Sequence, residues 1–152
     1  MKTLLAIDPG QRTGVAVFKY DDTDVWIYTS QEVYGGVEGM WAWLRQWDFD
    51  SDTTVVIEDF LYNARKPSVD LTPVRVIGLM EGFCLGNDLL LVKQPPAGRK
   101  EAVSNEALKR AGWFYSGEPN RNRVESVRHG AWWLKKQRHV PTLTKLFGGP
   151  TE

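Results

Sequence analysis

Two carboxylates close short apolar runs in this chain. Asp8 follows Leu4-Leu5-Ala6-Ile7 and precedes Pro9-Gly10, and Glu58 follows Val55-Val56-Ile57 and precedes Asp59. Runs of this length and β-branched content read as buried strands. An acid that ends such a strand stands at the lip of a sheet, where α/β folds bind their ligands. Two acids at neighbouring lips repel, and each raises the other's pKa unless a cation lies between them. Hard oxygen ligands of this kind favour Mg²⁺ or Mn²⁺. Taken singly, either acid reads as a turn or N-cap residue, so the chemistry depends on what else reaches the same place.

A helix near the C-terminal end supplies the missing partner. Asn122, Glu125 and His129 fall at i, i+3 and i+7, which puts them on one helix face. Val124, Val127, Ala131 and Leu134 fall on the opposite side, while Ser126 and Gly130 are small. Laid over the strand ends, this helix adds Glu125 to Asp8 and Glu58. The competing reading is an exposed helix with ordinary polar residues, and the apolar back argues against it.

These residues need elements to hold them. Thr3–Ile7, Val15–Tyr20 and Val25–Val33 read as a meander of three strands, separated by the Pro9–Gly14 turn and the acidic turn at 21–24. Val37, Met40, Trp41, Leu44 and Trp47 recur at helical spacing and predict an amphipathic helix with its tryptophans in the core. Thr54–Glu58 is the fourth strand, and 59–71 reads as an exposed basic loop. Thr72-Pro73 opens a helix, with Thr72 as N-cap, that runs to about Gly86. Gly78, Gly82 and Gly86 repeat along it, each costing roughly 1 kcal/mol of helix propensity relative to Ala. That cost makes sense where another backbone approaches, either this chain's own sheet or a second subunit. Leu89–Val92 is the fifth strand, Asn105–Ala111 a short helix, and 123–137 the last helix. The plan is one domain over 1–140, with a loose tail at 141–152.

Composition narrows the class. At 152 residues with seven Trp, the chain is a globular domain and not a disordered one. No apolar run approaches the roughly 20 residues of a membrane span. Its single cysteine, Cys84, excludes an internal disulfide and fits a core thiol in a reducing cytosol. Net charge is zero, but residues 1–88 carry seven Lys or Arg against fourteen Asp or Glu, and residues 89–152 carry twelve against five. The basic second half suggests an anionic partner such as nucleic acid, although a solvated basic face gives the same count.

Taken in order, the motifs resemble those of the RuvC-like Holliday junction resolvases, most closely the compact phage-borne versions. Ile7-Asp8-Pro9-Gly10 with Thr13-Gly14-Val15-Ala16 is similar to the family's opening strand-turn-strand. Ile57-Glu58-Asp59-Phe60 resembles its strand-four motif, and Glu125-Ser126-Val127-Arg128-His129 its closing Asp-Ala-x-Arg-His helix. The resemblance implies an α/β, RNase H-like fold: a mixed five-stranded sheet, first three strands antiparallel, flanked by helices. It implies a crossover junction endodeoxyribonuclease that resolves four-way DNA junctions by paired nicks, as a homodimer meeting near the glycine-striped helix. It also implies a cytoplasmic setting, in a bacterial or phage-infected cell.

Carried over by residue, the resemblance makes Asp8, Glu58 and Glu125 ligands of two Mg²⁺ or Mn²⁺ ions. Asn122 stands where the family has Asp or His, and Glu125 is one methylene longer than the usual Asp. Phe60, Leu61 and Tyr62 fall where the family inserts a wedge into the junction, and core packing is the competing reading for Phe60. Arg99 and Lys100 fall near the expected scissile phosphate. Arg65, Lys66, Lys109, Arg110, Arg121 and Arg123 read as phosphate-binding surface. Arg128 fits either that surface or a pairing with a site carboxylate. His129 reads as a partner for Glu125 or as a core histidine. The alternatives are an actin-like phosphotransferase, for which one domain is too short, a non-catalytic junction-binding protein, and a nuclease acting on hybrids or other branched DNA.

Overall fold

Strands β1 (Lys2–Asp8), β2 (Arg12–Tyr20) and β3 (Val25–Tyr34) form an antiparallel meander, and β4 (Thr53–Glu58) and β5 (Leu90–Gln94) continue the sheet parallel to β1. The strand order is β3-β2-β1-β4-β5. This computed structural model describes residues 1–61 and 69–149. Tyr62, Arg65 and Lys66 lie outside the described residues, as does most of the expected basic loop.

The central strands are apolar without interruption because both faces of the sheet are covered, the pattern of a doubly packed sheet. Leu5, Ile7, Val15, Val17, Val55 and Ile57 pack beneath α1 (Gly36–Leu44) and α2 (Thr72–Asn87). Leu4, Ala6, Ala16, Phe18 and Val56 pack on the other face beneath α5 (Arg121–Lys136), through Val127, Ala131 and Leu134. Strand alternation puts Asp8 on the face of Leu4 and Ala6. That is the α5 face. Two short helices, α3 (Arg99–Ala102) and α4 (Asn105–Ala111), lead from β5 towards α5.

Three expectations need correction. The segment read as a loose tail from Pro141 forms α6 (Val140–Phe147), with Leu143 and Leu146 buried. Pro141 sits in its first turn, where a missing N–H costs nothing. Arg110 Nη1 donates to the Leu146 carbonyl at 2.8 Å and ties α6 to α4. In α1, Trp43 is 5% exposed and Trp41 is 47% exposed. Met40 and Leu44 are buried and Val37 and Trp47 pack against the same core as expected, while Trp43 takes the buried place expected of Trp41. In α2, Thr72 is inside the helix, and Asp70 Oδ1 accepts its N–H at 3.0 Å.

Cys84 is buried at 2% exposure, and burial pushes its thiol up to about 11. It is a residue of the α1–α2 core. Among the described residues, no helix is long and apolar enough to cross a membrane.

Candidate active site

One row of residues crosses the whole sheet. Asp8 pairs with Gly14, Gly14 with Glu32, and Glu58 with Gln94, while Ile7 pairs with Ile57 one position earlier. Read from β3 to β5, the row is Glu32, Gly14, Asp8, Glu58, Gln94. It lies where β1, β4 and β5 end, and α5 runs across it. The helix approaches because Gly14 has no side chain. A Cβ there would overlap the Asn122 carbonyl group. Asn122 therefore lies over Gly14, and the i, i+3, i+7 face carries Glu125 and His129 on along the row.

The electrostatics follow. Burial, then Glu58, then Glu125, raise the Asp8 carboxyl well above the usual carboxylate range, with Arg99 opposing and Glu32 adding a smaller push. Burial also raises Glu125. The Arg99 hydrogen bond and the charges of Arg128 and Arg99 outweigh it and leave Glu125 below its ordinary value. Arg99 Nε donates to Glu125 Oε2 at 2.7 Å and Arg128 Nε to the same oxygen at 3.3 Å. Arg99 also donates from Nη1 to the Pro96 carbonyl. Arg128 is 1% exposed and spends its other nitrogens on Val103 O and Asn105 Oδ1. It is an internal clamp on Glu125 and no part of a phosphate-binding surface.

His129 does not face Glu125. Its Nε2 lies 2.7 Å from Glu58 Oε2, and the ring is fully buried. Gln94 Nε2 reaches both His129 Nδ1 and the His129 carbonyl, each at 3.0 Å. The carbonyl accepts only from the amide NH₂, which fixes the amide's orientation and makes Nδ1 an acceptor as well. Nε2 is then the N–H that donates to Glu58.

The other expected residues divide. Lys100, Lys109, Arg110 and Arg121 are exposed. Arg110 holds α6, and Arg123 donates from Nε to Ser30 Oγ at 2.8 Å with its guanidinium 3.5 Å from the centre of the Tyr115 ring. Phe60 is partly buried against the α1–α2 core, while Leu61 is 65% exposed.

Sequence reasoning missed Glu32 and Gln94. Glu32 Oε1 accepts the Asn122 N–H at 2.8 Å. Glu32 Oε2 and Gln94 Oε1 are buried with no hydrogen-bond partner among the described residues. These orphaned oxygens flank three acids, two of which raise the pKa of the third, so the donor chemistry fits a hard divalent cation. As they stand, no three His, Cys, Asp or Glu among the described residues converge to hold an ion. Glu125 is turned onto its arginines and Glu58 onto His129.

No protein-family model matches the chain, and no curated protein matches it in sequence. Solved structures match it in fold. RuvC of Thermus thermophilus superposes with a TM-score of 0.63 at 12% identity, over 89% of this chain and 96% of that one. The same bacterium's RuvC in complex with Holliday junction substrate gives 0.62 at 14% identity, over 88% and 96%. The fowlpox virus resolvase, in complex with Holliday junction DNA, gives 0.63 at 13% identity, over 89% and 98%. The five-stranded mixed sheet is thus the RNase H-like fold that the sequence resemblance implied.

Proposed function

We propose that this protein is a divalent-metal-dependent endonuclease that resolves four-way DNA junctions by paired nicks. The observation that carries the reading is Asp8, a partly buried acid whose pKa burial and the charges of Glu58 and Glu125 raise, in a fold shared with junction resolvases. Asp8, Glu58 and Glu125 would hold Mg²⁺ or Mn²⁺, with Asn122 at the edge of the set. When bound, such ions activate a water and stabilise the leaving 3′-oxygen of a phosphodiester. The chain's own residues do the rest. Gln94 and His129 orient Glu58 through the Nε2 hydrogen, and Arg128 holds Glu125 from inside the fold. Arg99, partly exposed beside Glu125, is placed to meet an incoming phosphate. Lys100, Lys109 and Arg121 offer phosphate contacts around it. Such an enzyme acts in the cytoplasm of a bacterial or phage-infected cell.

Paired nicks need two sites, which supports a homodimer. A Cβ added at Gly78, Gly82 or Gly86 would meet nothing within 4 Å, so their stripe does not face this chain's own sheet. Leu71, Val74 and Leu85 are exposed on or beside the same helix, Leu85 at 81%. A second copy packed there would cover them.

The arginines on Glu125 favour a second reading, a junction-binding protein without turnover. A cleavage assay on a four-way junction, an RNA–DNA hybrid and a plain duplex, with Mg²⁺ or Mn²⁺, decides between them. Junction-selective paired nicks that vanish in Asp8→Asn support the nuclease. Junction binding without nicks under either metal supports the second reading, and cleavage of the hybrid alone overturns the junction assignment.

A further inference from the structure

We infer that Glu32 is a positioning residue for the acidic row: its carboxylate pins the first turn of α5 to β3 and so sets Glu125 and His129 over Asp8 and Glu58. The catalytic consequence rests on the nuclease reading above, while the pinning itself does not.

The first turn of a helix presents N–H groups without partners inside the helix, and a nearby side chain in the sequence usually takes one of them. Here Asn120 is the N-cap residue and makes no such bond. Its Nδ2 donates to Ser116 O and its Oδ1 accepts from Arg123 Nη1. Glu32, distant in sequence, takes the Asn122 N–H instead, at 2.8 Å.

The placement is specific. Glu32 and Asp8 flank Gly14 in the same cross-strand row, so their side chains rise from one face of the sheet. The bare backbone of Gly14 gives Asn122 its seat, and Glu32 closes that seat from the β3 side. Two residues earlier on β3, Ser30 Oγ accepts from Arg123 Nε at 2.8 Å. Consecutive residues of α5 are thereby tied to alternate residues of one strand. The helix rises roughly 1.5 Å per residue, so Glu125 stands within one turn of this anchor and follows any tilt of it. His129 lies a further turn along the same rigid rod.

The test uses the full chain carrying Glu32→Ala, Glu32→Gln and Glu32→Asp. Glutamine keeps an oxygen at the same reach and loses the charge, whereas aspartate keeps the charge and loses the reach. Three readouts are taken: amide exchange at Asn122, Mn²⁺ affinity by electron paramagnetic resonance without DNA, and kcat and KM for junction nicking. Glu32→Ala and Glu32→Asp should speed Asn122 exchange about fivefold or more, in line with loss of a helix cap. Both should weaken Mn²⁺ binding and lower kcat with KM for the junction unchanged, and Glu32→Gln should restore most of each. Equal impairment in Glu32→Gln and Glu32→Ala would overturn the inference, because the charge and not the reach would then matter. Wild-type exchange at Asn122 in Glu32→Ala would overturn it as well. Should Glu32→Ala not fold, the order of Glu32→Gln above Glu32→Asp decides alone. If the wild type neither binds Mn²⁺ nor nicks, the nuclease reading fails, and exchange at Asn122 still decides the pinning.

Discussion

Gln94 is bonded twice to His129, at the ring Nδ1 and at the main-chain carbonyl, each at 3.0 Å. The two contacts leave the imidazole one orientation, with Nε2 aimed at Glu58. Gln94→Leu keeps the volume and leaves the buried Nδ1 of His129 unpaired, while the His129 carbonyl keeps only its partner within the helix. Such a loss costs about 1–3 kcal/mol. Urea unfolding should show a destabilisation in that range, and nicking should fall more than junction affinity because Glu58 is no longer held.

Asp8 is ionised at neutral pH only against burial and two neighbouring acids. Its pKa is raised on folding, so its penalty is absent below the ordinary carboxylate pKa, grows as pH rises towards the folded value, and is full above it. Asp8→Asn removes that charge with little change of shape. In chelator the variant should melt several degrees above the wild type at neutral pH, and the gap should close as pH falls. Nicking should be abolished and junction binding retained. Melting curves across pH, with gel-shift and nicking assays, check both halves.

Asn122→Asp adds a carboxylate beside Glu32 at the helix start. Without metal the two repel, so the variant should be less stable in chelator. With metal the added charge should lower the Mg²⁺ or Mn²⁺ concentration that half-saturates nicking. A metal titration of wild type and variant tests it, and an unchanged requirement would leave Asn122 as a residue of the helix start alone.

Gly82 faces open space. Gly82→Leu therefore cannot overpack the monomer, and the gain in helix propensity is roughly 1 kcal/mol. Sedimentation should show weaker self-association, and thermal melting should show no loss of monomer stability.

The basic residues should separate by type. Ala substitution of Lys100, Lys109 or Arg121 should each reduce the salt slope of junction binding by about 1. Arg110→Ala and Arg123→Ala should instead lower stability, because those side chains hold Leu146 and Ser30. Binding isotherms across a salt series and parallel melts distinguish the two groups.

Much of the site was legible because strand and helix periods act locally. An apolar run that ends in an acid declares Asp8 and Glu58, and a helical face declares Glu125 and His129. What stayed hidden depends on pairings distant in sequence. Glu32 lies on an edge strand whose alternation gives it the look of a solvent-facing acid, and only its register with Gly14 turns it towards α5. Gln94 looked like the exit from β5, since the apolar run stops at Val92, yet the strand continues and buries it. His129 found Glu58 and not Glu125 because the row beneath the helix, and not the helix itself, sets its neighbour. The final helix was hidden by Pro141, which reads as a breaker and here starts a helix whose far end is Gly148.

The row under α5 draws on five strands and is completed by a helix that follows all of them in the chain. A ribosome releases these parts in order, and the residues up to Gln94 precede Glu125 and His129. Until that helix emerges and docks, Asp8 and Glu58 are two acids without Glu125 or His129. An unfinished or truncated chain thus lacks the assembled acidic row, and whatever chemistry that row performs belongs to the completed fold.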